Sequence, residues 1–357
     1  MTVYIILMLG ILVAGILCFS KGESENNTKI FCNISLFMML IVQCLRGNGV
    51  GEDTAAYIDW FNEYCDISTV TSFLHPWRDI DVGYSILNIV ISRFTTNEHA
   101  LIIVVSILIV LLHIKFIQKT SKDSFVSVML FLGCNFFITS MVSWRQFIAM
   151  GMVVWMYPLL LEKKYIKALF VMALAFCFHD TAIFVGGALL VSVLLANDYK
   201  SSWLILLLGI AFIPMTDIFV NKILTFLPAY QLYFNGAITN DASIGIGKLR
   251  WVYLFTQFYL MIIILLVKKY HTQKITVMSS LMAFAIVIGL LGMFVPYVFR
   301  ISYYFDYFML ILIPELLPKK SRYGLVIKLG ITFFSMALYV YYLSYNPGQT
   351  VPYKFCF

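Results

Sequence analysis

Charged residues are scarce in this chain of 357 residues, which contains 12% charged and 61% hydrophobic residues. A soluble domain typically has about a quarter charged and about half apolar residues, so the composition argues against a soluble globular fold. Apolar runs of about 18 residues, each long enough to cross a hydrocarbon core, recur along the chain. These runs lack the alternation of barrel strands. The sequence therefore predicts an all-α polytopic membrane protein.

Signatures of several other protein classes are also missing. The seven cysteines form no CxxC pair and no metal-ligand spacing, and most lie in apolar runs, where a small buried hydrophobe is expected. Residues 1–19 lack a basic start and an A-x-A-like cleavage site, so we interpret them as a retained first span. The net charge of +7 comes mostly from lysines in short loops beside spans, so it does not indicate nucleic-acid binding.

The hydrophobic pattern predicts about 10–12 transmembrane helices in a single transmembrane domain over residues 1–357. Lysines mark alternate loops as cytoplasmic, which leaves 46–99 as a long outer loop with helical segments and 221–250 as a second outer loop. Both termini are then expected outside. The spans are expected near residues 2–19, 30–45, 100–117, 124–139, 146–161, 166–178, 181–196, 203–220, 251–267, 277–295, 301–317 and 325–343.

Arginine is distributed differently from lysine. Only Arg322 belongs to the predicted inner side. Either cation satisfies a topology signal, but arginine adds a planar fork that grips phosphate or carboxylate with two hydrogen bonds. The alternatives are chance combined with loop anchoring, or an anion site at the outer face. The second is favoured because an arginine beside an apolar span is costly unless it has a partner. The outer arginines are Arg46, Arg78, Arg93, Arg145, Arg250 and Arg300.

A glycine-rich segment follows the second predicted span, with glycines at positions 47, 49 and 51. Glycine permits a close approach of the backbone to a ligand. Glu52 and Asp53 carry carboxylates that suit proton transfer or sugar-hydroxyl binding. The alternative is an ordinary turn before a helix that begins near Thr54, with Asp53 as its N-cap. Both interpretations remain open.

Three further groups are candidates for chemistry. Arg145 begins a span, where it either pairs with an acidic residue or joins free helix N–H groups in binding an anion. His179 and Asp180 interrupt an apolar stretch, as a tight turn or as a polar pair in a broken helix, and either suits proton transfer or phosphate contact. The aromatic run between Arg300 and Tyr307 fits an interfacial belt or a sugar-stacking platform.

Five short motifs occur along nearly the whole chain, and together they resemble the EpsG-type branch of the Wzy polysaccharide polymerases. A sixth element, Asp81-x-Gly83-Tyr84, is similar to that family's E-x-G-[FY], with Asp in place of Glu. Asp180 also departs from the pattern, since a small or hydroxyl residue is usual after the histidine. The five motifs are L-R-x-x-x-V-G-x-D-T-x-x-Y at 45–57, W-R-Q-x-x-A at 144–149, A-x-x-F-H at 175–179, R-I-S-Y-Y-F at 300–305 and P-Y at 352–353.

The resemblance implies a bacterial membrane glycosyltransferase of GT-C-like architecture, with an outward-facing cavity at the outer side of the plasma membrane. Such an enzyme transfers an undecaprenyl-pyrophosphate-linked glycan onto the non-reducing end of another lipid-linked repeat unit, making capsule, exopolysaccharide or O-antigen. The implied partners are these lipid-linked oligosaccharides and the bilayer, with a flippase and a chain-length regulator as possible further partners. No nucleic acid and no cofactor are expected. No metal is expected either, because arginines can supply the countercharge.

The resemblance and the residue chemistry together suggest roles for individual side chains. The pyrophosphate candidates are Arg46, Arg145, Arg250 and Arg300. The catalytic candidates are His179, Asp53 and Arg145. The sugar-binding candidates are Glu52, Tyr57, Gln146, Asp180, Tyr303 and Tyr304.

Other function classes fit parts of the same pattern. A lipid-linked oligosaccharide transporter or flippase would also place arginines in a cavity, but it would need polar positions through the midplane and on the inner side. An O-antigen-type ligase would share the fold and the chemistry. A non-enzymatic assembly partner would leave the outer arginines and His179 unexplained.

Overall fold

The computed structural model describes residues 1–20, 22–66, 81–215, 241–293, 298–318 and 321–357. It is 79% helical, and the described residues form no strand, so the all-α prediction is confirmed. Part of each predicted outer loop lies outside the described residues, namely 67–80 with Arg78 and 221–240, as does the predicted turn near Pro296.

Sixteen α-helices are numbered here in chain order within the described ranges. They are α1 (Thr2–Phe19), α2 (Glu25–Cys44), α3 (Thr54–Asp66), α4 (Val82–Ser92), α5 (Glu98–Thr120), α6 (Ser124–Gly133), α7 (Phe136–Thr139), α8 (Trp144–Leu161), α9 (Tyr165–Phe178), α10 (Ala182–Leu194), α11 (Ser201–Phe212), α12 (Asp241–Leu266), α13 (Gln273–Leu291), α14 (Phe299–Asp306), α15 (Met309–Leu316) and α16 (Arg322–Tyr345).

The helices α1, α2, α5, α13 and α16 are the five in the described part of the chain that are long and apolar enough to cross a membrane. Six further apolar helical segments of 10–17 residues occur in the described part of the chain, one of them within α12. Together with the composition, these helices make the chain an all-α membrane protein. The figure of about 10–12 transmembrane helices stays a prediction.

Polar residues fix the starts of several helices. A free N–H at the first turn of a helix needs an acceptor, and Ser, Thr, Asn and Asp side chains supply it from the N-cap position. Each such cap stands directly before its helix, so the boundary between loop and helix is encoded locally. The side-chain caps are Ser24 before α2, Asn97 before α5, Asp123 before α6, Thr272 before α13 and Ser321 before α16.

Two predicted spans are each divided into two helices. The span at 124–139 is interrupted at Asn135, which has a left-handed φ of 62° and separates α6 from α7. Asparagine tolerates this conformation better than most residues, and hydropathy does not register the break because the flanking residues are apolar. The span at 301–317 is likewise two helices, α14 and α15.

The contacts divide the chain into two compact units, which are described one at a time. Unit 1 comprises Met1–Leu159, Tyr165–Ile183 and Leu317–Phe357, and unit 2 comprises Leu160–Lys164 and Phe184–Leu316. In unit 1, α2 packs on α1 and α5, and α16 packs on α6. In unit 2, α13 packs on α11, α12 and α14. The single domain over 1–357 stays a prediction.

A glycine lets the backbones of α6 and α16 approach closely in unit 1. A Cβ added at Gly133 would lie 2.6 Å from Ser335 Cα and 2.7 Å from its carbonyl oxygen, and backbone atoms cannot move aside without moving the helix. Small residues let membrane helices approach in this way.

Gly133→Ala should therefore destabilise unit 1 by about 1–3 kcal/mol, the usual cost of overpacking a tight contact. The measurement is the thermal midpoint of the purified protein in one detergent. Gly330→Ala on the partner helix α16 is the matched control, because no atom lies within 4 Å of a Cβ at Gly330. Equal midpoints for the two variants would show that the α6–α16 contact does not limit stability.

Candidate functional site

An aromatic cluster surrounds the start of α8 in unit 1. The Trp144 side chain is fully buried, and its indole N–H donates to the Met141 carbonyl at 2.7 Å. The Trp144 ring stacks on the Tyr57 ring, with centroids 4.5 Å apart and planes 11° apart. The Tyr57 ring meets the rings of Trp60 and Tyr84 nearly edge-on, each at 5.4 Å. We call Tyr57, Trp60, Tyr84 and Trp144 the aromatic cluster.

Arg145 follows Trp144 and is held by an ion pair. Its Nη1 lies 2.8 Å from Asp81 Oδ2, and its guanidinium lies 5.2 Å from the centre of the Trp60 ring. Asp81 immediately precedes α4, yet its side chain does not cap that helix. Burial raises the pKa of the Asp81 carboxyl above its usual value, and the charge of Arg145 opposes that rise. Arg145 therefore pairs with an acidic residue, one of the two alternatives that the sequence analysis gave for it.

His179 and Asp180 lie beside this ion pair. They belong to the short connection between α9 and α10, with His179 Nδ1 3.3 Å from Asp180 Oδ1. Their charges also act on the pKa of Asp81. Gly83 permits this proximity, since a Cβ there would lie 2.9 Å from the carbonyl oxygen of Cys177, in the last turn of α9. A short turn, rather than a polar pair within a helix, therefore presents the histidine.

Arg46 lies against the Trp144 ring and is buried to 1% exposure. Its guanidinium carbon is 5.1 Å from the centre of the Trp144 ring. Burial lowers the pKa of Arg46 to about 10. Within the described residues, Nε and Nη1 have no hydrogen-bond partner, and no carboxylate pairs with the guanidinium. The polar groups that act on it are the phenols and the thiol of Tyr4, Cys44, Tyr84 and Tyr353.

The glycine-rich segment makes close approaches to the chain itself. Gly51 has a left-handed φ of 103°, and a Cβ there would lie 2.8 Å from the Met141 carbonyl oxygen. A Cβ at Gly47 would lie 3.0 Å from the carbonyl oxygen of Phe355. Helix α3 begins at Thr54, as predicted. Glu52 is exposed and Asp53 half-buried at the start of that helix, where the charge of Asp53 reaches Tyr57.

Arg250 lies in unit 2 within a separate buried network. Its Nη1 lies 2.6 Å from Asp306 Oδ2, and its Nη2 donates to the Ala285 carbonyl at 2.8 Å. Gln257 donates to the other Asp306 oxygen at 2.5 Å. A Cβ at Gly289 would lie 1.8 Å from Arg250 Nη2, so only glycine leaves room for this guanidinium.

The remaining predicted residues divide between the two units. Gln146 is buried in unit 1, one residue after Arg145. Arg300 is exposed on α14 of unit 2, where Tyr303 is half-buried and Tyr304 fully buried. No group of three or more His, Cys, Asp or Glu side chains that could hold a metal ion occurs among the described residues.

Unit 1 thus brings together predicted residues that are far apart in the sequence. The guanidinium groups of Arg46 and Arg145, the Tyr57 ring and the His179–Asp180 pair all belong to one neighbourhood, whereas Arg250, Arg300, Tyr303 and Tyr304 belong to unit 2. Sequence reasoning left out Asp81, Trp60, Tyr84 and Trp144 as site residues. The Asp81-x-Gly83-Tyr84 element was the signal for two of them.

The EpsG family model matches residues 29–355. The chain belongs to the EpsG family. EpsG-family membership makes it a polysaccharide polymerase-type membrane protein, with glycosyltransferase-like activity and lipid-linked glycans as substrates. Neither a curated protein nor a solved structure matches the chain. In this EpsG-family chain, all the motifs except R-I-S-Y-Y-F lie in unit 1.

The two site arginines should have opposite effects on stability. Arg46→Met removes a buried charge without an acidic partner, so we expect no loss of stability or a gain of about 1 kcal/mol or more. Arg145→Met removes the partner of Asp81 and should destabilise by roughly 2 kcal/mol.

Thermal midpoints of the two variants and the wild type, in one detergent, check this pair of expectations. The common substitution to methionine controls for side-chain size. A drop of similar size for both variants would mean that the Arg46 charge is already balanced within the protein. The assignment of Arg46 as a pyrophosphate-binding residue would then be wrong.

Proposed function

We propose that this EpsG-family chain transfers an undecaprenyl-pyrophosphate-linked glycan onto the non-reducing end of a second lipid-linked repeat unit. The reaction would take place at the outer face of the bacterial plasma membrane, with both chain termini on that side. A hydroxyl of the acceptor attacks the anomeric carbon of the donor, the bond from that carbon to the pyrophosphate oxygen breaks, and undecaprenyl pyrophosphate leaves with the electron pair. The observation that carries the proposal is the buried Arg46 guanidinium.

A cation that is buried in the protein without an acidic partner is costly, by several kcal/mol for an isolated ion in an apolar medium. The cost disappears when an anion arrives with matching geometry. A phosphate oxygen pair fits the guanidinium fork, and the low dielectric constant around Arg46 strengthens that contact relative to water. The substrate therefore supplies the countercharge that the described chain does not.

Arg145 would act on the same pyrophosphate as Arg46. The Asp81 carboxylate and the Trp60 ring hold its guanidinium in place, so little ordering is needed when the substrate binds. It stands in the first turn of α8, where the helix dipole and the free N–H groups also favour an anion. Charge that develops on the leaving oxygen would be stabilised most, which is where such contacts accelerate a reaction.

His179 would accept the proton from the acceptor hydroxyl. Its Nδ1 faces the Asp180 carboxylate at 3.3 Å, which favours the tautomer with the proton on Nδ1 and leaves the Nε2 lone pair as the base. Asp53 is the second candidate for this role. Glu52, Tyr57, Gln146 and Asp180 are proposed as sugar contacts in unit 1.

In unit 2, Arg300 is proposed as a pyrophosphate contact and Tyr303 and Tyr304 as sugar contacts on the strength of the family motif alone. Arg300 is the exposed arginine of this unit, and it begins the family's R-I-S-Y-Y-F motif. We assign Arg250 a different part, because its guanidinium is engaged with Asp306 and the Ala285 carbonyl. It would keep α12, α13 and α14 together and thereby hold Arg300 in place.

Replacing Arg145 or Arg46 should lower polymer formation by about 100-fold or more, the usual cost of removing a group that stabilises developing negative charge. The assay incubates purified Arg145→Ala, Arg46→Met or wild-type protein with a lipid-linked repeat unit from the host and resolves the product ladder on a gel. Arg322→Ala is the control, since Arg322 is exposed at the start of α16 and on the predicted inner side.

A normal ladder from both site variants at wild-type protein levels would refute the arginine assignment. A wild-type protein that makes no ladder, but moves the intact lipid-linked sugar across a liposome bilayer, would be a flippase. Transfer of finished polymer to a different acceptor would make it a ligase.

A further inference from the structure

The backbone on both sides of Arg46 is paired with the segment that follows α16. Arg46 and Phe355 form an antiparallel bridge. The Gly47 N–H donates to the Lys354 carbonyl at 2.8 Å, and the Cys356 N–H donates to the Leu45 carbonyl at 3.0 Å. We call residues 346–357 the strap.

The strap also holds the far end of the glycine-rich segment. The Gly51 N–H donates to the Gln349 carbonyl at 3.2 Å, and the Glu52 N–H donates to the Gly348 carbonyl at 2.8 Å. Four backbone hydrogen bonds therefore join the strap to residues 45–52, at both ends of the segment that carries Arg46.

Side chains anchor the strap itself. Tyr353 Oη donates to the Val42 carbonyl at 2.9 Å, and Tyr4 Oη donates to the Thr350 carbonyl at 2.9 Å. The rings of Tyr4 and Tyr353 meet edge-on, with centroids 5.6 Å apart. Asn346 exchanges two hydrogen bonds with the backbone of Val351. Tyr353 is the one of these residues that ties the strap directly to the last turn of α2, immediately before Arg46.

We propose that Tyr353 and the strap position Arg46 for the pyrophosphate. This inference rests on the proposed function, because it assumes that Arg46 binds the pyrophosphate. An ion-paired arginine such as Arg145 is oriented by its acid. Arg46 has no acid among the described residues, so its direction comes from the Trp144 ring and from the backbone on either side, which the strap holds. Releasing the strap would let residues 45–52 move. Substrate binding would then have to order this segment, and the lost conformational entropy would weaken the affinity.

The test compares Tyr353→Phe, Tyr353→Ala and Asn346→Ala with the wild type. The probe is undecaprenyl pyrophosphate, whose Kd is measured on the purified full-length protein together with the rate of ladder formation. Tyr353→Phe removes one hydroxyl and should raise the Kd about threefold to tenfold, the equivalent of one neutral hydrogen bond. Tyr353→Ala and Asn346→Ala should raise it by about tenfold or more, with ladder formation falling in proportion.

Tyr345→Ala is the control, since Tyr345 is 45% exposed at the end of α16, just before the strap. Amide hydrogen exchange supplies a reading that does not depend on activity. The amides of Gly47, Gly51 and Glu52 should exchange faster in Tyr353→Ala than in the wild type, whereas those in the middle of α5 should stay protected. If Tyr353→Ala does not fold, Tyr353→Phe and Asn346→Ala carry the test.

The outcomes separate the two proposals. An unchanged Kd and ladder in the strap variants, with or without faster exchange at Gly47, Gly51 and Glu52, would overturn the positioning role. Unchanged exchange at those amides would overturn it as well. A wild-type protein that neither binds undecaprenyl pyrophosphate nor makes a ladder would instead overturn the proposed function, and the exchange data would still show whether the strap holds the segment.

Discussion

A charge inside a membrane protein needs an opposite charge close by, and this requirement organises the polar interior of both units. Arg250 meets Asp306 at 2.6 Å, Arg145 meets Asp81 at 2.8 Å and Lys274 meets Glu315 at 3.0 Å. Each pair joins different elements of its unit and so links them electrostatically. Arg46 departs from the pattern within the described residues. Its burial without an acid agrees with the proposed function, in which the substrate brings two phosphates.

The motifs that characterise the family are dispersed in the sequence but have packing reasons to be where they are. Gly83 lets α4 approach the Cys177 carbonyl, which places Asp81 near His179. Gly51 has the left-handed conformation that the segment before α3 requires. Trp144 stacks on Tyr57 and lies against the Arg46 guanidinium. In unit 1, the charged site residues and the glycines that permit close approach therefore lie in the same region of the structure.

The helices were largely predictable from the sequence, because hydropathy is a local property. The first span was expected at 2–19 and is observed at Thr2–Phe19. The break at Asn135 was not predicted, since a single left-handed residue among apolar neighbours leaves hydropathy unchanged. The outer arginines could be singled out by type, but their partners could not. Asp81 was noted only as a deviation from a motif, because its pairing with Arg145 depends on how α4 lies against α8.

The strap was beyond sequence reasoning for a different reason. Its bonds to residues 45–52 use backbone carbonyls and N–H groups, which every residue except proline carries, so residue identity does not encode the pairing. The Pro-Tyr motif at 352–353 is the feature of the strap that the sequence analysis noted. By contrast, His179 and Arg145 were identifiable because their chemistry is unusual for an apolar setting.

The steric relation between Gly289 and Arg250 has an evolutionary consequence. Because the guanidinium occupies the space in which a Cβ at position 289 would lie, any side chain there would displace it and leave Asp306 buried without its cation. A shorter residue at position 250 would empty that space and abandon the same carboxylate. A side chain at position 289 therefore requires a shorter residue at position 250, and loss of the arginine in turn favours a neutral residue at position 306. The reverse does not hold, since glycine at position 289 remains compatible with either change.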